Sequence, residues 1–247
     1  MAHTANGALV SAYRVDHTPP PLSDILPSDA KPIRTDELIT QIHPCIDDVD
    51  IARMEEYALL AALLRRAPDS ALLEALSGIR GDSTQLGAAH TALARAAEDA
   101  DCERLEREFF ELFIGVGRGE LLPYGSYYLT GFLNERPLAR LRGDLRKLGI
   151  VRVERQNEPE DHAAILCEIM AGLAGGGLAA APDAQKGLFE KHLAPWISRF
   201  FADLERLKRA DFYRHVATVG RLFIDIETEA FGLPSKTSSG GNLEKTK

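Results

Sequence analysis

Between residues 50 and 230 the apolar side chains recur at intervals of three and four, and Gly or Pro closes most of the runs. That spacing lays one apolar stripe along a helix, and the stripe must be buried against another element. Met54, Tyr57, Ala58, Ala61 and Leu64 form the first stripe, which Pro68 ends. Short helices are expected over Ser70–Ser77 and over the Ala-rich residues 83–98. Leu105, Phe109, Leu112 and Phe113 make a strong stripe that stops at Gly115. Ile165, Leu166, Ile169, Met170 and Leu173 run into Gly175, Gly176 and Gly177, a clear helix stop. Ile197, Phe200, Phe201, Leu204 and Leu207 follow Pro195, which suits a first helical turn. Val216, Val219, Phe223, Ile226 and Ala230 finish at Gly232 and Pro234. Strand signals are confined to residues 150–153. The expected fold is therefore all-α, a single-domain helical bundle over residues 49–233.

The flanks differ. Residues 1–48 carry Pro19, Pro20, Pro21, Pro27, Pro32 and Pro44, and proline removes backbone donors and fixes φ, so an extended, flexible tail is expected. Leu38, Ile39 and Ile42 within it suit one short docked helix. Residues 234–247 are rich in Ser, Gly and Lys and read as a flexible end. Hydrophobic residues make up 45% of the 247, enough for a real core, while the aromatics, at 7%, leave Ala and Leu dominant and favour helix over sheet.

Charge and cysteine usage narrow the function classes. Lys plus Arg number 29 and Asp plus Glu 37, a net charge of −8, which argues against the basic footprint that phosphate backbones require. A basic partner suits such a surface. Cys45, Cys102 and Cys167 are odd in number and form no CxxC pair, so neither a disulfide framework nor a structural zinc site is expected. No uncharged apolar run approaches the ~18 residues of a membrane span. Residues 1–15 lack the sustained apolar stretch of a signal peptide, and a reduced, cytoplasmic location is expected.

Two segments break the helical pattern, and loops carry function more often than packed faces do. Residues 115–128 lack the Gly-Lys-Ser/Thr ending of a phosphate loop and do not follow a strand, so their Gly-x-Gly is no nucleotide signature. Tyr124, Tyr127 and Tyr128 lie there beside Pro123 and Ser126, a mixture of apolar bodies and hydroxyl tips that serves equally in recognition surfaces and in cores. In the second segment Pro159 pushes Glu158 out of the α region and suits a helix start, with Glu160 and Asp161 in its first turn. His162 is left over, either to bind a ligand or to satisfy a capping bond. No HExxH motif occurs, Cys167 lies about 140° round the helix from His162, and no metal site is expected. Ser126, Asp161 and His162 have the residue types of a nucleophilic triad without its spacing. The charged run over residues 103–111 reads as the solvated side of an amphipathic helix.

Taken in order, Glu108-Phe109-Phe110-Glu111-Leu112-Phe113-Ile114-Gly115-Val116-Gly117, Pro123-Tyr124-Gly125-Ser126-Tyr127-Tyr128 and Glu158-Pro159-Glu160-Asp161-His162 resemble the TorD/DmsD/NarJ family over about residues 50 to 232. Val116 stands where many members have Pro, and Tyr124 where many have Trp. The resemblance implies an all-helical, non-catalytic cytoplasmic chaperone without a cofactor. Its partners would be the apo-form of a molybdopterin-containing oxidoreductase and that enzyme's twin-arginine leader peptide, held until cofactor insertion. Carried over, the peptide-binding residues are Tyr124, Ser126 and Tyr127 on one wall and Glu158, Pro159, Asp161 and His162 on the other. The tyrosines would supply apolar contact, and Glu158 or Asp161 charge-assisted bonds to leader arginines. The client class would be formate dehydrogenase, or a dimethyl sulfoxide or trimethylamine N-oxide reductase. A monomer is expected, with Gly175–Gly177 as a hinge suited to a domain-swapped dimer. Two other classes stay open: a helical nucleotide- or cofactor-binding module, and a small enzyme using His162 and Asp161.

Overall fold

In a computed structural model of the chain, the described residues are 13–15, 46–152, 158–178 and 183–232. The short helix expected around Leu38, the C-terminal end from residue 234, Cys45 and Val153 lie outside them. Helices dominate, as the apolar spacing requires. They are α1 (Asp48–Arg65), α2 (Ser70–Ser77), α3 (Gln85–Glu98), α4 (Cys102–Phe109), α5 (Gly125–Thr130), α6 (Arg136–Lys147), α7 (Ala163–Ala174), α8 (Ala184–Leu188), α9 (Ile197–Arg206) and α10 (Phe212–Ala230). π-helical turns extend α4 over Phe110–Ile114 and α8 over Phe189–Leu193. Two three-residue strands, β1 (Tyr13–Val15) and β2 (Ile150–Arg152), pair antiparallel. The expected tail thus contributes one strand to the folded chain.

The described residues resolve into two compact units whose segments alternate along the sequence: those within 1–66 and 123–193, and those within 67–122 and 194–247. In the first, α1 packs along α7. Asp47 caps α1, its carboxylate accepting from the Asp50 N–H at 2.8 Å. Tyr57, Leu60, Leu63 and Leu64 form the buried face of α1. Helix α7 is buried nearly all round, from Ala163 to Ala174, which marks it as a central helix and not a surface one. Its Glu168 is ion-paired with Arg65 of α1. Helix α6 was not read from the sequence, although Leu138, Leu141 and Leu145 keep helical spacing and Pro137 sits in its first turn.

In the second unit α10 packs against α9 and α3, and α2 against α3. The few aromatic residues are concentrated here. Phe109, Phe113, Phe200 and Tyr213 stack in tilted or edge contacts, with ring centroids 5.1 to 6.4 Å apart, and Phe200 also meets Phe201 and Trp196. Glu108 corrects the reading of residues 103–111 as a solvated face. It is buried, and its carboxylate accepts from the N–H groups of Asp211, Phe212 and Tyr213 at 2.8, 3.3 and 2.9 Å. Those donors head α10, whose own first residues supply no side-chain cap, so a carboxylate from α4 satisfies the orphan N–H groups and the positive helix end together.

Close helix approach in this unit depends on Gly220 of α10. A Cβ there would meet the Phe201 ring at 2.4 Å, and that ring is fully buried. Gly220→Ala is therefore expected to lower unfolding stability by about 1–3 kcal/mol through overpacking, read as a drop in Tm with helical content preserved below the transition.

Candidate functional site

The two segments singled out in the sequence meet within the first unit. Tyr124 and His162 face each other as an isolated antiparallel bridge. The Gly125 N–H donates to the Asp161 carbonyl at 2.9 Å, and the Ala163 N–H to the Pro123 carbonyl at 2.8 Å. This short backbone zipper joins the start of α5 to the start of α7. Residues 115–128 are thus not loop throughout, because α5 begins at Gly125 and carries Ser126, Tyr127 and Tyr128.

Side chains lock the same junction. The Asp161 carboxylate accepts from the Ser126 N–H at 2.7 Å, serving α5 as an N-terminal cap from elsewhere in the chain. Both residues are buried, and Ser126 Oγ and Asp161 Oδ1 have no hydrogen-bond partner among the described residues. Helix α7 starts at Ala163, so Glu160 and Asp161 lie in the turn before it and not in its first turn. His162 is its N-cap: Nδ1 accepts from the Ala164 N–H at 3.1 Å, which leaves the ring proton on Nε2. The Tyr124 ring meets the imidazole edge-on at 5.0 Å. Burial is the main force holding the His162 pKa down at about 4; nearby Glu158 opposes it, and Arg65 adds a smaller lowering.

Of the walls expected from the sequence, the outward-facing groups are fewer than seven. Glu158 is exposed and accepts from the Tyr124 hydroxyl at 2.5 Å. Burial, then that hydrogen bond, pushes the Tyr124 phenol up. Arg152 at the end of β2 donates to the Glu158 carbonyl, fixing this loop from the other side. Tyr127 and Pro159 are half-buried, whereas Ser126, Asp161 and His162 lie inside, as supports. Glu160 is paired with Arg142 of α6 at 2.7 Å, which leaves Glu158 as the exposed carboxylate of the Glu-Pro-Glu-Asp-His segment. At the end of α5 and just past it, Leu129, Phe132 and Leu133 are exposed apolar groups. Ser126, Asp161 and His162 do not form a triad: Asp161 bonds the Ser126 backbone, and His162 Nδ1 is spent on its own helix.

Sequence reading missed the neighbouring cleft because it missed α6. The cleft, about 520 Å³, is lined by Asp161, Leu129, Arg140, Asp144, Lys147 and His192 among others. Asp144 accepts from Lys147 at 2.8 Å and from His192 Nε2 at 2.9 Å, and Lys147 first, then His192, holds its carboxyl down at about 2. Among the described residues no group of three His, Cys, Asp or Glu could hold a metal ion, and no helix is long and apolar enough to cross a membrane. Cys167 is buried, and burial pushes its thiol up to about 12.

Two stability effects follow. Asp161→Ala strands the buried Ser126 N–H, and an unfolding stability lower by about 1–3 kcal/mol is expected in denaturant titrations. The second is a pH dependence. The folded imidazole of His162 stays neutral down to about pH 4, whereas an unperturbed one takes up a proton near 6.5. Between these values the unfolded chain binds more protons, so stability falls as pH drops from about 6.5 to about 4. The stability of the native chain relative to His162→Gln should shrink across that window by on the order of 3 kcal/mol, measured by urea unfolding at each pH.

Known proteins share parts of this sequence. The profile of the family described as nitrate reductase delta subunit matches residues 80–202. The chain is 32% identical over 136 residues to the protein named chaperone protein TorD from Vibrio cholerae, covering 51% of this chain and 61% of that relative. It is 27% identical over 170 residues to the chaperone protein TorD of Aliivibrio fischeri, covering 65% of this chain and 72% of the relative. The chain thus spans about three fifths of the first of these relatives. A solved structure of a redox enzyme maturation protein from Archaeoglobus fulgidus aligns with a TM-score of 0.47 at 22% identity, over 69% of this chain and 93% of that one. On these sequence matches the chain belongs to the TorD/DmsD/NarJ family.

Proposed function

We propose that this chain is a cytoplasmic maturation chaperone for a molybdopterin-containing oxidoreductase, holding the twin-arginine leader of the apo-enzyme until the cofactor is inserted. The observation that carries the reading is the exposed Glu158 carboxylate, fixed by Tyr124 and Arg152, near α5, whose last turn and the residues just after it expose Leu129, Phe132 and Leu133. A twin-arginine leader offers the complement, a basic end followed by an apolar stretch. Glu158 takes an arginine by a charge-assisted bond; Tyr127 and Pro159 supply apolar contact. Ser126, Asp161 and His162 hold these groups in place from inside. No catalytic step is assigned to any of them. The client is of the formate dehydrogenase class, or a dimethyl sulfoxide or trimethylamine N-oxide reductase. The names of the related TorD chaperones support the reading. The chain acts as a monomer, with Gly175–Gly177 as the hinge if two copies exchange segments.

Calorimetric titration with leader peptides of the host's molybdoenzymes tests this. Saturable binding to one leader is expected, weakened about tenfold or more in Glu158→Gln and in Tyr127→Ala with Tm unchanged. A folded protein that binds no leader would overturn the reading. The cleft favours a second one: Arg140, Lys147 and Lys191 on its lining suit an anionic small molecule. Titration of GTP and of molybdopterin without any peptide separates the two, since a helical cofactor-binding module would bind one of them alone.

A further inference from the structure

Strand β2 already receives an extended segment from a remote part of the chain. Tyr13 lies opposite Arg152, Arg14 opposite Val151 and Val15 opposite Ile150. Residues 16–47 separate β1 from α1, and among the described residues β2 is the strand with which β1 pairs. A two-stranded ladder of three residues is marginal in water, so this pairing is easily exchanged. It rests on main-chain hydrogen bonds, which accept any extended segment whose side chains fit the surroundings. On the β2 side the acceptor is firmly built: Gly149 makes the turn out of α6 at φ +69°, Ile150 is buried, and β2 packs on α6.

The ladder ends at the candidate site. Arg152, the last residue of β2, donates to the Glu158 carbonyl, and the Glu158 carboxylate accepts from Tyr124. A peptide paired along β2 therefore finishes beside the exposed carboxylate. The segment now paired there reads Tyr-Arg-Val, one arginine flanked in the sequence by two residues of largely apolar body, the chemistry assigned above to the leader.

We propose that β2 is a docking edge for an extended, arginine-bearing segment of the client leader, and that β1 is an internal placeholder which that segment displaces. The inference rests on the leader-binding reading. Because β1 occupies the edge, the apparent affinity for the leader is lowered by the fraction of chains in which the edge is covered.

Consecutive backbone N–H groups of a strand point to opposite edges, so Arg14→Pro/Val15→Pro removes one that faces β2 and disfavours the ladder. In the full-length chain this variant should bind the leader about fivefold or more tightly than the native chain, with Tm changed little. Hydrogen exchange supplies a second readout. On saturation with leader, amides 13–15 of the native chain should lose protection while amides 150–152 keep theirs. Equal affinity in the two proteins, or β1 amides still protected in the complex, overturns the placeholder and leaves leader binding standing. No binding by either protein overturns the leader-binding reading and the inference with it. Binding by the variant alone supports both.

Discussion

One carboxylate organises the site from beneath. Asp161 takes the Ser126 N–H while its own carbonyl takes the Gly125 N–H, so a single residue satisfies two of the orphan donors at the start of α5. A six-residue helix has too few internal hydrogen bonds to hold its direction alone. What fixes it is this attachment to the chain just before α7, the most buried helix of its unit. Tyr124, Tyr127 and the apolar tip at Leu129 inherit their positions from that anchor. His162 acts in the same sense at the other end of the zipper, capping α7 with the nitrogen that a catalytic base or a metal ligand would need free.

The motif thus divides its labour by burial. In Glu158-Pro159-Glu160-Asp161-His162 the last two residues face inward and fasten two helices, Glu160 is neutralised by Arg142, and Glu158 is left outside. Three acidic residues in four positions deliver one exposed charge. Local geometry, and not the net charge of −8, decides where a cation would be held.

Much of the helical order was legible because it is written in apolar spacing. Ser70–Ser77 is found as expected, and the ends at Gly115, Gly175 and Gly232 follow from glycine at helix termini. The site was legible as two segments, and their meeting was not. A bridge between Tyr124 and His162 spans 38 residues, and nothing in local periodicity encodes such a pairing. For the same reason Glu108 read as one charge in a solvated run. Its buried role becomes visible only when the head of α10 arrives against it, 103 to 105 residues later. Helix α6 was missed although its leucines carry the signal, since Arg and Lys at most other positions made the stretch look like connection. Strand β1 could not have been foreseen, because three residues within a proline-rich stretch have no pattern of their own.

The interleaving of the two units has a consequence for synthesis on the ribosome. The unit built from residues 1–66 and 123–193 has all its segments once Leu193 has emerged, whereas the other must wait for α9 and α10. Until then Phe109 and Phe113 lack Phe200 and Tyr213, and the Glu108 carboxylate has no helix to cap. The nascent chain therefore passes through an interval in which the unit carrying the Tyr124–His162 junction is complete while the aromatic core is open. A slow step in translating residues 194–224 would lengthen that interval, and with it the exposure of a half-built core to aggregation.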